Sequence, residues 1–388
     1  MDSDRTLRNQ SLLANLRDIL ERRGMTQRDF ARLVGKNEAE ISRWFSGKFN
    51  ISRNSQLLIE TALGEPISSD STFRISSGDV LIGIIGTGNM AERFVRESYS
   101  ATGVRVLAAY DIDETKAQQF CSANGIAKCC RSAEELISNV DAVYVSSHID
   151  THYLYTRMSL ENNRHVLCEM PFTYTRAEAD ELLKLAAHRN LVLMPALKTA
   201  YCPSFGQMVN VAKTGIIGDI VDVTATVTNL LDESAPVDFA NERMVENTSY
   251  PLLAFFKLLG MDAMRIYPFV RRKGNRILFT STTIQYSGAV GCMKVGVGVK
   301  SEGCLVVSGT RGYIYVPAPW WKPDYFEVRF ENPADNKKYF FPYESAGLRY
   351  EIEVWKNRIG RQDTFEYVRR EEILRMTEIC NRIFNNRK

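Results

Sequence analysis

The sequence has few of the features that mark membrane, secreted or metal-binding proteins. No apolar run approaches the ~18 residues of a membrane-spanning helix, and the leading segment MDSDRTLRNQSLL lacks the apolar core of a secretion signal. The 8 cysteines include no CxxC pair, and the 4 histidines show no metal-ligand spacing, so neither a zinc site nor a disulfide framework is indicated. These absences predict a cytoplasmic protein with no membrane partner and no metal.

Charge and composition narrow the class further. A formal net charge of +3 excludes a generally basic chain, so any binding to nucleic acid would depend on a local patch. Hydrophobic residues at 45% and charged residues at 24% are ordinary values for globular proteins and exclude a disordered or fibrous chain. The length of 388 residues exceeds that of a usual single domain and predicts two or three domains.

Residues 1–65 have the pattern of a small helical domain. Thr26 and Asp29 form an N-terminal capping pattern that predicts the start of a helix. Gly35 suits the turn between this helix and the next, and another helix is expected near 57–63. Two short helices joined by a glycine-containing turn are typical of a helix-turn-helix.

The stretch TQRDFARLVGKNEAEISRWFSGK resembles the phage-repressor-like (XRE-type) helix-turn-helix family along its whole length. The resemblance implies that residues 37–46 form a recognition helix, which enters the major groove of double-stranded DNA as one half of a dimer. The residues implied to contact DNA are Gln27, Asn37, Glu38, Ser42, Arg43 and Lys48. The alternative is a helical bundle that contacts only protein, because residues 1–65 hold 11 Lys+Arg against 9 Asp+Glu and the recognition helix itself is partly acidic.

A linker and a nucleotide-binding turn follow. Residues 66–79 are rich in serine and poor in apolar residues, which predicts a flexible linker. The next segment, VLIGII, predicts a buried strand of a parallel sheet and runs into the GxGxxA turn GTGNMA. Gly86 permits a tight turn, Gly88 lets the backbone approach a pyrophosphate at a helix N-terminus, and Ala91 permits close packing of helix on strand.

A second predicted strand over 104–110 ends at Asp111, 25 residues after Gly86. A carboxylate at this place hydrogen-bonds the adenosine ribose hydroxyls and repels a 2′-phosphate, which favours NAD over NADP. Strands and helices continue to alternate, which predicts an α/β Rossmann domain with a doubly wound parallel sheet over 80–200. The alternative is a Rossmann-like domain that binds no nucleotide.

The segment NRHVLCEMP, at 163–171, resembles the GKHVLCEKP signature of the glucose–fructose oxidoreductase / inositol dehydrogenase family (Gfo/Idh/MocA). DAVYVSSHIDTH also resembles the strand and loop that lie beside the nicotinamide in that family. The resemblance and the glycine-rich turn together imply these cofactor-binding residues: Gly86, Thr87, Gly88, Asn89, Met90, Asp111, Ser146, Ser147, His152, Glu169 and Met170.

Residues 201–388 resemble the C-terminal α+β domain of the same family, which has a large, mostly antiparallel sheet. GTRGYIYVPAPWWKPDYFEVRF and AGLRYEIEVW resemble its dihydrodiol-dehydrogenase-like branch. A high content of Val, Ile, Thr and Tyr predicts strands over 220–230, 278–286, 292–300 and 312–317. Residues 345–385 are expected to be helical. The resemblances also imply a homodimer or higher homo-oligomer.

Family members transfer a hydride between nicotinamide and a secondary alcohol or ketone. Their catalytic residues are the lysine of EKP and two residues that lie one helical turn apart. In this sequence the lysine position is Met170, and NTSYPLLAFFKLLG places Glu246 and Tyr250 at the other two. Tyr250 is the candidate proton donor or acceptor if a cation lowers its pKa, and Lys198 is the candidate cation. Each residue also has a non-catalytic alternative. Tyr250 would be packed against the start of a helix, Glu246 would be a solvated capping acid, and Lys198 would be an ordinary surface lysine.

Two functions are compatible with these features. The first is an NAD-dependent oxidoreductase, acting on a sugar, polyol or dihydrodiol, that carries a DNA-binding domain. The second is a transcriptional regulator that senses NAD(H) or a sugar-like ligand without turnover. Tyr250 favours the first, whereas Met170 and the N-terminal domain favour the second. A scaffold that binds neither DNA nor substrate is a third interpretation, against which the GxGxxA turn and Asp111 argue.

Overall fold

The computed structural model describes residues 12–14, 16–17, 19–51, 55–56, 59, 62–63, 79–232, 234–341, 347–361 and 365–384. The chain divides into two compact units, a helical N-terminal unit and a larger unit that begins at Val80. The predicted linker lies outside the described residues except for Asp79, and so do Leu57 and Leu58 of the predicted helix near 57–63.

Two helices of the N-terminal unit are described in full, α1 (Gln27–Leu33) and α2 (Glu38–Phe45). Thr26 caps α1 as predicted: its Oγ1 accepts from the Asp29 amide at 3.2 Å, and the Asp29 carboxylate accepts from the Thr26 amide at 3.3 Å. Gly35, between the helices, has φ +65°, which a glycine adopts without strain. The largest side chains buried in this unit are Leu16, Phe30, Ile41, Trp44 and Ile59.

The larger unit begins with a six-stranded sheet in the order β3–β2–β1–β4–β5–β6, and all of its strands are parallel. The strands are β1 (Val80–Ile85), β2 (Val104–Tyr110), β3 (Lys128–Cys129), β4 (Ala142–Val145), β5 (His165–Glu169) and β6 (Leu193–Ala196). The helices are α3 (Asn89–Ser98), α4 (Glu114–Asn124), α5 (Ala133–Ser138), α6 (His152–Glu161) and α7 (Arg176–His188). The predicted doubly wound sheet is confirmed, and its order reverses between β1 and β4, where such folds bind ligands.

A second sheet of eight strands has the order β14–β13–β12–β11–β7–β10–β9–β8. Every pairing is antiparallel except that between β7 and β10, so the predicted mostly antiparallel sheet is also confirmed. The strands are β7 (Ile220–Asn229), β8 (Arg265–Lys273), β9 (Arg276–Gln285), β10 (Val290–Val297), β11 (Leu305–Gly309), β12 (Tyr313–Val316), β13 (Tyr325–Arg329) and β14 (Lys337–Phe340). Its helices are α8 (Pro203–Lys213), α9 (Val237–Leu259), α10 (Leu348–Ile359) and α11 (Arg370–Phe384).

The sequence predictions miss β3 and β6 in the parallel sheet and β8, β11, β13 and β14 in the second sheet. Strand β8 carries Pro268 and several basic residues, a composition that is tolerated because β8 lies at the edge of the sheet. The C-terminal region contains two helices and not one helical stretch, because α10 ends at Gly360 and Arg361 follows with φ +56°. Within the described part of the chain no helix is long and apolar enough to cross a membrane.

Helix α9 packs on the eight-stranded sheet and begins at Val237, well before the start that the sequence suggests. Pro251 lies inside it and leaves the carbonyl of Asn247 without its usual helical donor. Glu246 is therefore not a capping acid, and Tyr250 is not packed at a helix start. Both ordinary alternatives are wrong, because both residues lie in the middle of a 23-residue helix.

Candidate functional site

The turn between β1 and α3 has the geometry that a dinucleotide needs. Gly86 has φ +94°, and a Cβ atom there would lie 2.5 Å from the backbone of Ser147, so only glycine fits. A Cβ on Gly88 would meet no described atom within 4 Å, and no described side chain caps α3. The amides at the start of α3 are therefore open to an anion, as the pyrophosphate requires.

Asp111 is held firmly at the end of β2. One of its oxygens, Oδ2, accepts hydrogen bonds from the amide and the hydroxyl of Thr87, both at 2.8 Å. The other oxygen, Oδ1, accepts from the amide of Asp113 at 3.0 Å. The carboxylate is thus oriented beside the glycine turn, where ribose hydroxyls would meet its remaining lone pairs. The residues present fit a nicotinamide dinucleotide, which supplies or accepts the hydride when it is bound.

The loops after β4 and β5 are joined by His152. This histidine is 1% exposed, its Nδ1 lies 2.8 Å from the carbonyl oxygen of Pro171, and its Nε2 lies 2.9 Å from that of Ser147. Ser146 donates its hydroxyl to the carbonyl of Gly86 at 2.8 Å and so connects the first loop to the glycine turn. The expectation that His152 lines the cofactor needs correction, because its ring is enclosed and positions the two loops.

Glu169 ends β5 inside the molecule and accepts a hydrogen bond from the Tyr144 hydroxyl. Burial raises the pKa of Glu169 to about 7; the charge of Glu246 adds to the rise, whereas the bond from Tyr144 and the Lys198 ammonium oppose it. Met170 follows and is 8% exposed. The carboxyl therefore carries a mixture of charged and neutral forms near neutral pH, beside a thioether that can neither donate nor accept a proton.

Tyr250 and Glu246 lie one turn apart on α9, as predicted. Burial raises the pKa of Tyr250 well above its ordinary value, and the charges of Glu246 and Glu169 add to the rise. The cation that opposes this rise is Arg243, which lies 3.4 Å from Glu246. The condition that a cation lowers the pKa of Tyr250 is thus not met, because desolvation and two carboxylates outweigh one guanidinium. Sequence reasoning missed Arg243, although its spacing from Glu246 is the signal for a helical ion pair.

Lys198 is 7% exposed, so the alternative that it is an ordinary surface lysine is wrong. It begins a 3₁₀ turn, Lys198–Tyr201, which follows β6. Burial lowers the pKa of Lys198, whereas the charges of Glu169 and Glu246 act in the opposite direction. The electrostatic partners of this ammonium are therefore the carboxyls of the site and not the Tyr250 phenol.

Glu351 is a further buried carboxyl that sequence reasoning missed. It lies on α10, which packs against the 3₁₀ turn of Lys198, and its side chain has no exposed surface. Burial raises the pKa of Glu351 well above its usual value, and the charge of Glu169 adds to the rise. A glutamate among the apolar residues of YEIEVW, on the inner face of a helix, is the signal that would have found it.

A cavity of about 1060 Å³ adjoins Met170 and is large enough for a small ligand. Helix α9 contributes Glu242, Val245 and Ser249 to its wall. At its rim, His148 bridges two carboxylates: Nδ1 lies 3.0 Å from Asp150 and Nε2 lies 3.2 Å from Glu242. This bridge ties the loop after β4 to α9, so the cavity wall is continuous from the parallel sheet to the antiparallel one.

The helix-turn-helix presents all six predicted DNA-contact residues as exposed side chains. Glu38 is paired with Arg28 at 2.8 Å, so its negative charge is balanced within the unit. Arg43 is anchored through a hydrogen bond from its Nε to the carbonyl of Ala39 at 3.2 Å. Asn37 is the exception, because its Oδ1 already accepts from the Glu40 amide at 2.7 Å and caps α2. The predicted contact of Asn37 with a base would therefore have to come from its amide nitrogen.

The parallel sheet, the glycine turn and Asp111 are those of a Rossmann domain that fits a nicotinamide dinucleotide. The family model for the oxidoreductase family with an NAD-binding Rossmann fold (GFO_IDH_MocA) matches residues 80–197, and a helix-turn-helix model matches residues 16–68. The similarity to the Gfo/Idh/MocA family is thus shown for the Rossmann domain, and the chain carries a helix-turn-helix domain in addition.

Similar proteins are oxidoreductases. A trans-1,2-dihydrobenzene-1,2-diol dehydrogenase from Bos taurus is 28% identical over 262 residues, which cover 64% of this chain and 78% of that protein. A dTDP-3,4-didehydro-2,6-dideoxy-alpha-D-glucose 3-reductase from Streptomyces antibioticus is 25% identical over 259 residues, covering 64% and 79%. The crystal structure of a 3-ketoreductase from Actinomadura kijaniata, in complex with NADP and TDP-benzene, has a TM-score of 0.70 at 18% identity and covers 79% of this chain and 97% of that one. This likeness shows a shared fold.

The buried Glu169 predicts a specific dependence of stability on pH. Its pKa is about 7 in the folded protein against an ordinary 4.5, so its contribution to stability is complete below pH 4.5 and is lost as the pH rises to about 7. In Glu169→Gln the side chain still accepts the hydrogen bond from Tyr144 but cannot ionise. The free energy of unfolding of this variant should therefore fall by up to about 3 kcal/mol less than that of the wild type as the pH rises. Urea unfolding from pH 4.5 to 8 measures it. The exposed Glu371→Gln is the control, and parallel curves for Glu169→Gln and wild type would contradict the assignment.

Proposed function

We propose that the protein is an NAD(P)-dependent oxidoreductase for a sugar, polyol or dihydrodiol, joined to a domain that binds DNA. The observation that carries this proposal is that buried Glu169, Lys198 and Tyr250 cluster with the partly exposed Glu246 beside the loops of the nucleotide-binding sheet. Removing ionisable groups from water costs free energy, so such clusters are concentrated at functional sites.

The pKa directions indicate the direction of proton transfer. Because the pKa of Tyr250 is raised, the residue is a neutral phenol at neutral pH and can donate its proton to a carbonyl oxygen as negative charge develops there. The Lys198 ammonium, held near Glu169, supplies positive charge on the same side of the site. The reverse reaction needs a phenolate, which burial and two carboxylates disfavour. The site therefore favours reduction of a ketone.

A second candidate is a transcriptional regulator that binds NAD(H) and a sugar-like ligand without turnover. Met170 favours it, because a thioether cannot stabilise an alkoxide, and the loss of one such donor typically costs ~2.7–4 kcal/mol of barrier. The helix-turn-helix domain also favours it, because a regulator needs a domain that binds DNA. Both candidates place the protein in the cytoplasm, where DNA and dinucleotide are both accessible, and all eight cysteines are free thiols.

Two substitutions separate these candidates. Met170→Lys restores a cationic donor and is expected to create or raise dehydrogenase activity about 100-fold or more, in line with the barrier above. Tyr250→Phe is expected to abolish the activity of both the wild type and Met170→Lys, because the proton donor is lost. Stopped-flow measurement of NADH formation and consumption on one panel of polyols, sugars and their ketones checks both.

Tyr286→Phe is the matched control, because the Tyr286 hydroxyl is buried without a hydrogen-bond partner among the described residues. It should leave turnover unchanged. Fast turnover that survives Tyr250→Phe would refute the assignment of the proton donor. Slow or absent wild-type turnover that Met170→Lys does not improve, in a protein that binds NAD(H), would support the regulator.

The cofactor preference follows from Asp111. Its carboxylate, held by Thr87, should repel the 2′-phosphate of NADP and accept from the ribose hydroxyls of NAD. We therefore expect the protein to bind NAD(H) more tightly than NADP(H), and we expect Asp111→Ser to reduce the difference between the two affinities. Quenching of intrinsic fluorescence measures both affinities. Asp113→Ser is the control, since that carboxylate accepts from the Lys116 amide at the start of α4. A wild-type preference for NADP(H) would overturn the assignment.

The eight-stranded sheet is the proposed surface for a homodimer. Thr283, Cys292, Thr224, Val306 and Tyr315 lie side by side in register across β9, β10, β7, β11 and β12. All five are half-buried, whereas their strand neighbours on the other face are buried beneath α9 and the core. Pairing of two such faces would bring two helix-turn-helix domains into one molecule, as recognition of a two-fold DNA site needs.

The DNA prediction separates base contacts from phosphate contacts. Arg43→Ala should relax sequence preference, because Arg43 is exposed on the recognition helix α2, whereas Lys48→Ala should weaken binding to all sequences and reduce its salt dependence. A fragment of residues 1–66 should bind weakly, since it lacks the second half-site contact. Fluorescence anisotropy with the upstream DNA of its own gene, at several salt concentrations, measures these effects. If the full-length protein binds no DNA at low salt, the domain contacts protein instead.

A further inference from the structure

Three cationic side chains come together beside the proposed catalytic cluster. Lys198 begins the 3₁₀ turn after β6, Arg93 lies on α3 just past its first turn, and Lys322 lies in the turn before β13. Besides the effect of burial, both Lys198 and Arg93 lower the pKa of Lys322, and Arg93 also lowers that of Lys198. These charges from three separate segments therefore repel one another within one small region.

Hydrogen bonds hold the segment of Lys322 against the turn of Lys198. The hydroxyl of Thr199 donates to the carbonyl of Trp321 at 2.8 Å, and the hydroxyl of Ser204 donates to the carbonyl of Pro323. The indole of Trp321 in turn lies 6.4 Å from the ring of Tyr250, centroid to centroid. The segment that carries Lys322 is thus fixed against the turn of Lys198, and its neighbour Trp321 lies beside the ring of the proposed proton donor.

None of the three cations has a hydrogen bond or an ion pair through its side chain to any residue that the structure describes. This matters most for Lys198, which is more than nine-tenths buried. Neighbouring cations are paired: Arg243 with Glu246 at 3.4 Å and Arg96 with Glu92 at 3.2 Å. A buried ammonium without a partner costs free energy that an anion from outside would recover.

The carboxyls of the site do not fill this role. Glu169, Glu246 and Glu351 all attract Lys198, yet none lies within the 4.0 Å of an ion pair. Burial raises the pKa of each of the three, so their combined negative charge is reduced. Glu97 also attracts Lys322 but forms no ion pair with it, so the positive charges of Arg93, Lys198 and Lys322 have no paired carboxylate among the described residues.

We propose that Lys198, Arg93 and Lys322 bind an anionic group, a carboxylate or a phosphate, on the ligand of this site. The inference rests on the proposed function and specifies its substrate class as an acidic sugar or polyol. The dinucleotide's own pyrophosphate is accounted for by the open amides at the start of α3. Lys198 and Lys322 instead belong to two segments that are bonded to each other at Trp321, whose ring lies 6.4 Å from that of Tyr250. The anionic group would hold the reacting oxygen near the phenol.

The test uses the full-length protein saturated with NAD⁺ and isothermal titration calorimetry. The probes are matched pairs: myo-inositol against myo-inositol 1-phosphate, and glucose against glucuronate and glucose 6-phosphate. At least one anionic member should bind about tenfold tighter than its neutral partner, because it gains charge-assisted hydrogen bonds. The glucuronate and phosphate arms show which anion the site accepts, and inorganic phosphate shows whether the anion alone suffices.

Substitutions then locate the contact. Lys322→Glu and Arg93→Ala should remove most of the difference between anionic and neutral probes and leave the affinity for NAD⁺ unchanged. Arg96→Ala is the matched control, because Arg96 lies on the same helix as Arg93 but is paired with Glu92. It should change neither affinity.

The inference is overturned if no anionic probe binds, if neutral and anionic probes bind equally, or if Arg96→Ala has the same effect as Arg93→Ala. It is also overturned if Lys322→Glu weakens NAD⁺ instead of the probe, since the cluster would then serve the cofactor. Failure of the proposed function has a different signature, because a wild type that binds neither NAD⁺ nor NADH contradicts the nucleotide site itself.

Discussion

Desolvation of ionisable side chains between the parallel sheet and α9 determines the chemistry of the larger unit. It is the largest influence on the pKa of Glu169, Glu246, Tyr250 and Lys198 alike. In each case it favours the neutral form, so the acids and the phenol hold their protons to a higher pH than usual, whereas the amine loses its proton more readily. The site is therefore one in which protons are held at defined atoms, and an added ion or dinucleotide would redistribute them.

The features that the sequence predicts correctly depend on interactions that are close along the chain. Thr26 and Asp29 cap α1 across three residues, and the Gly86 turn joins two consecutive elements of one βα unit. Asp111 is distant from Gly86 in sequence, but the right-handed connection between parallel strands places it beside the turn. Such rules of local geometry are general, so one sequence is sufficient to apply them.

The features that escape prediction depend on tertiary packing. The direction of the Tyr250 pKa shift is set by burial and by two carboxylates, one of which comes from β5. Glu351 and Lys322 approach the site from segments more than 100 residues away from Lys198, and no periodicity in the sequence links them. The start of α9 is equally hidden, because Pro251 inside the predicted helix resembles a terminal proline. Only the folded chain defines which charges are adjacent and which are buried.

The substitution of methionine for the family lysine has a different meaning in this electrostatic setting. A lysine at position 170 would lie beside Glu169 and close to the influence of Lys198, and so add a further charge to a region that already excludes water. With Met170, the positive charge near Glu169 is instead that of Lys198, with Arg93 and Lys322 acting on it or on each other, and no described carboxylate forms an ion pair with any of the three. Under the proposed function, the cation of the site is thus displaced and not lost. A displaced cation can still stabilise a negatively charged ligand, but it directs that charge away from the thioether and towards the segment beside Tyr250. Under the proposed function, ligand binding and proton transfer therefore depend on neighbouring ionisable groups, of which Glu169, Lys198 and Tyr250 are buried, whether the bound ligand is reduced or only sensed.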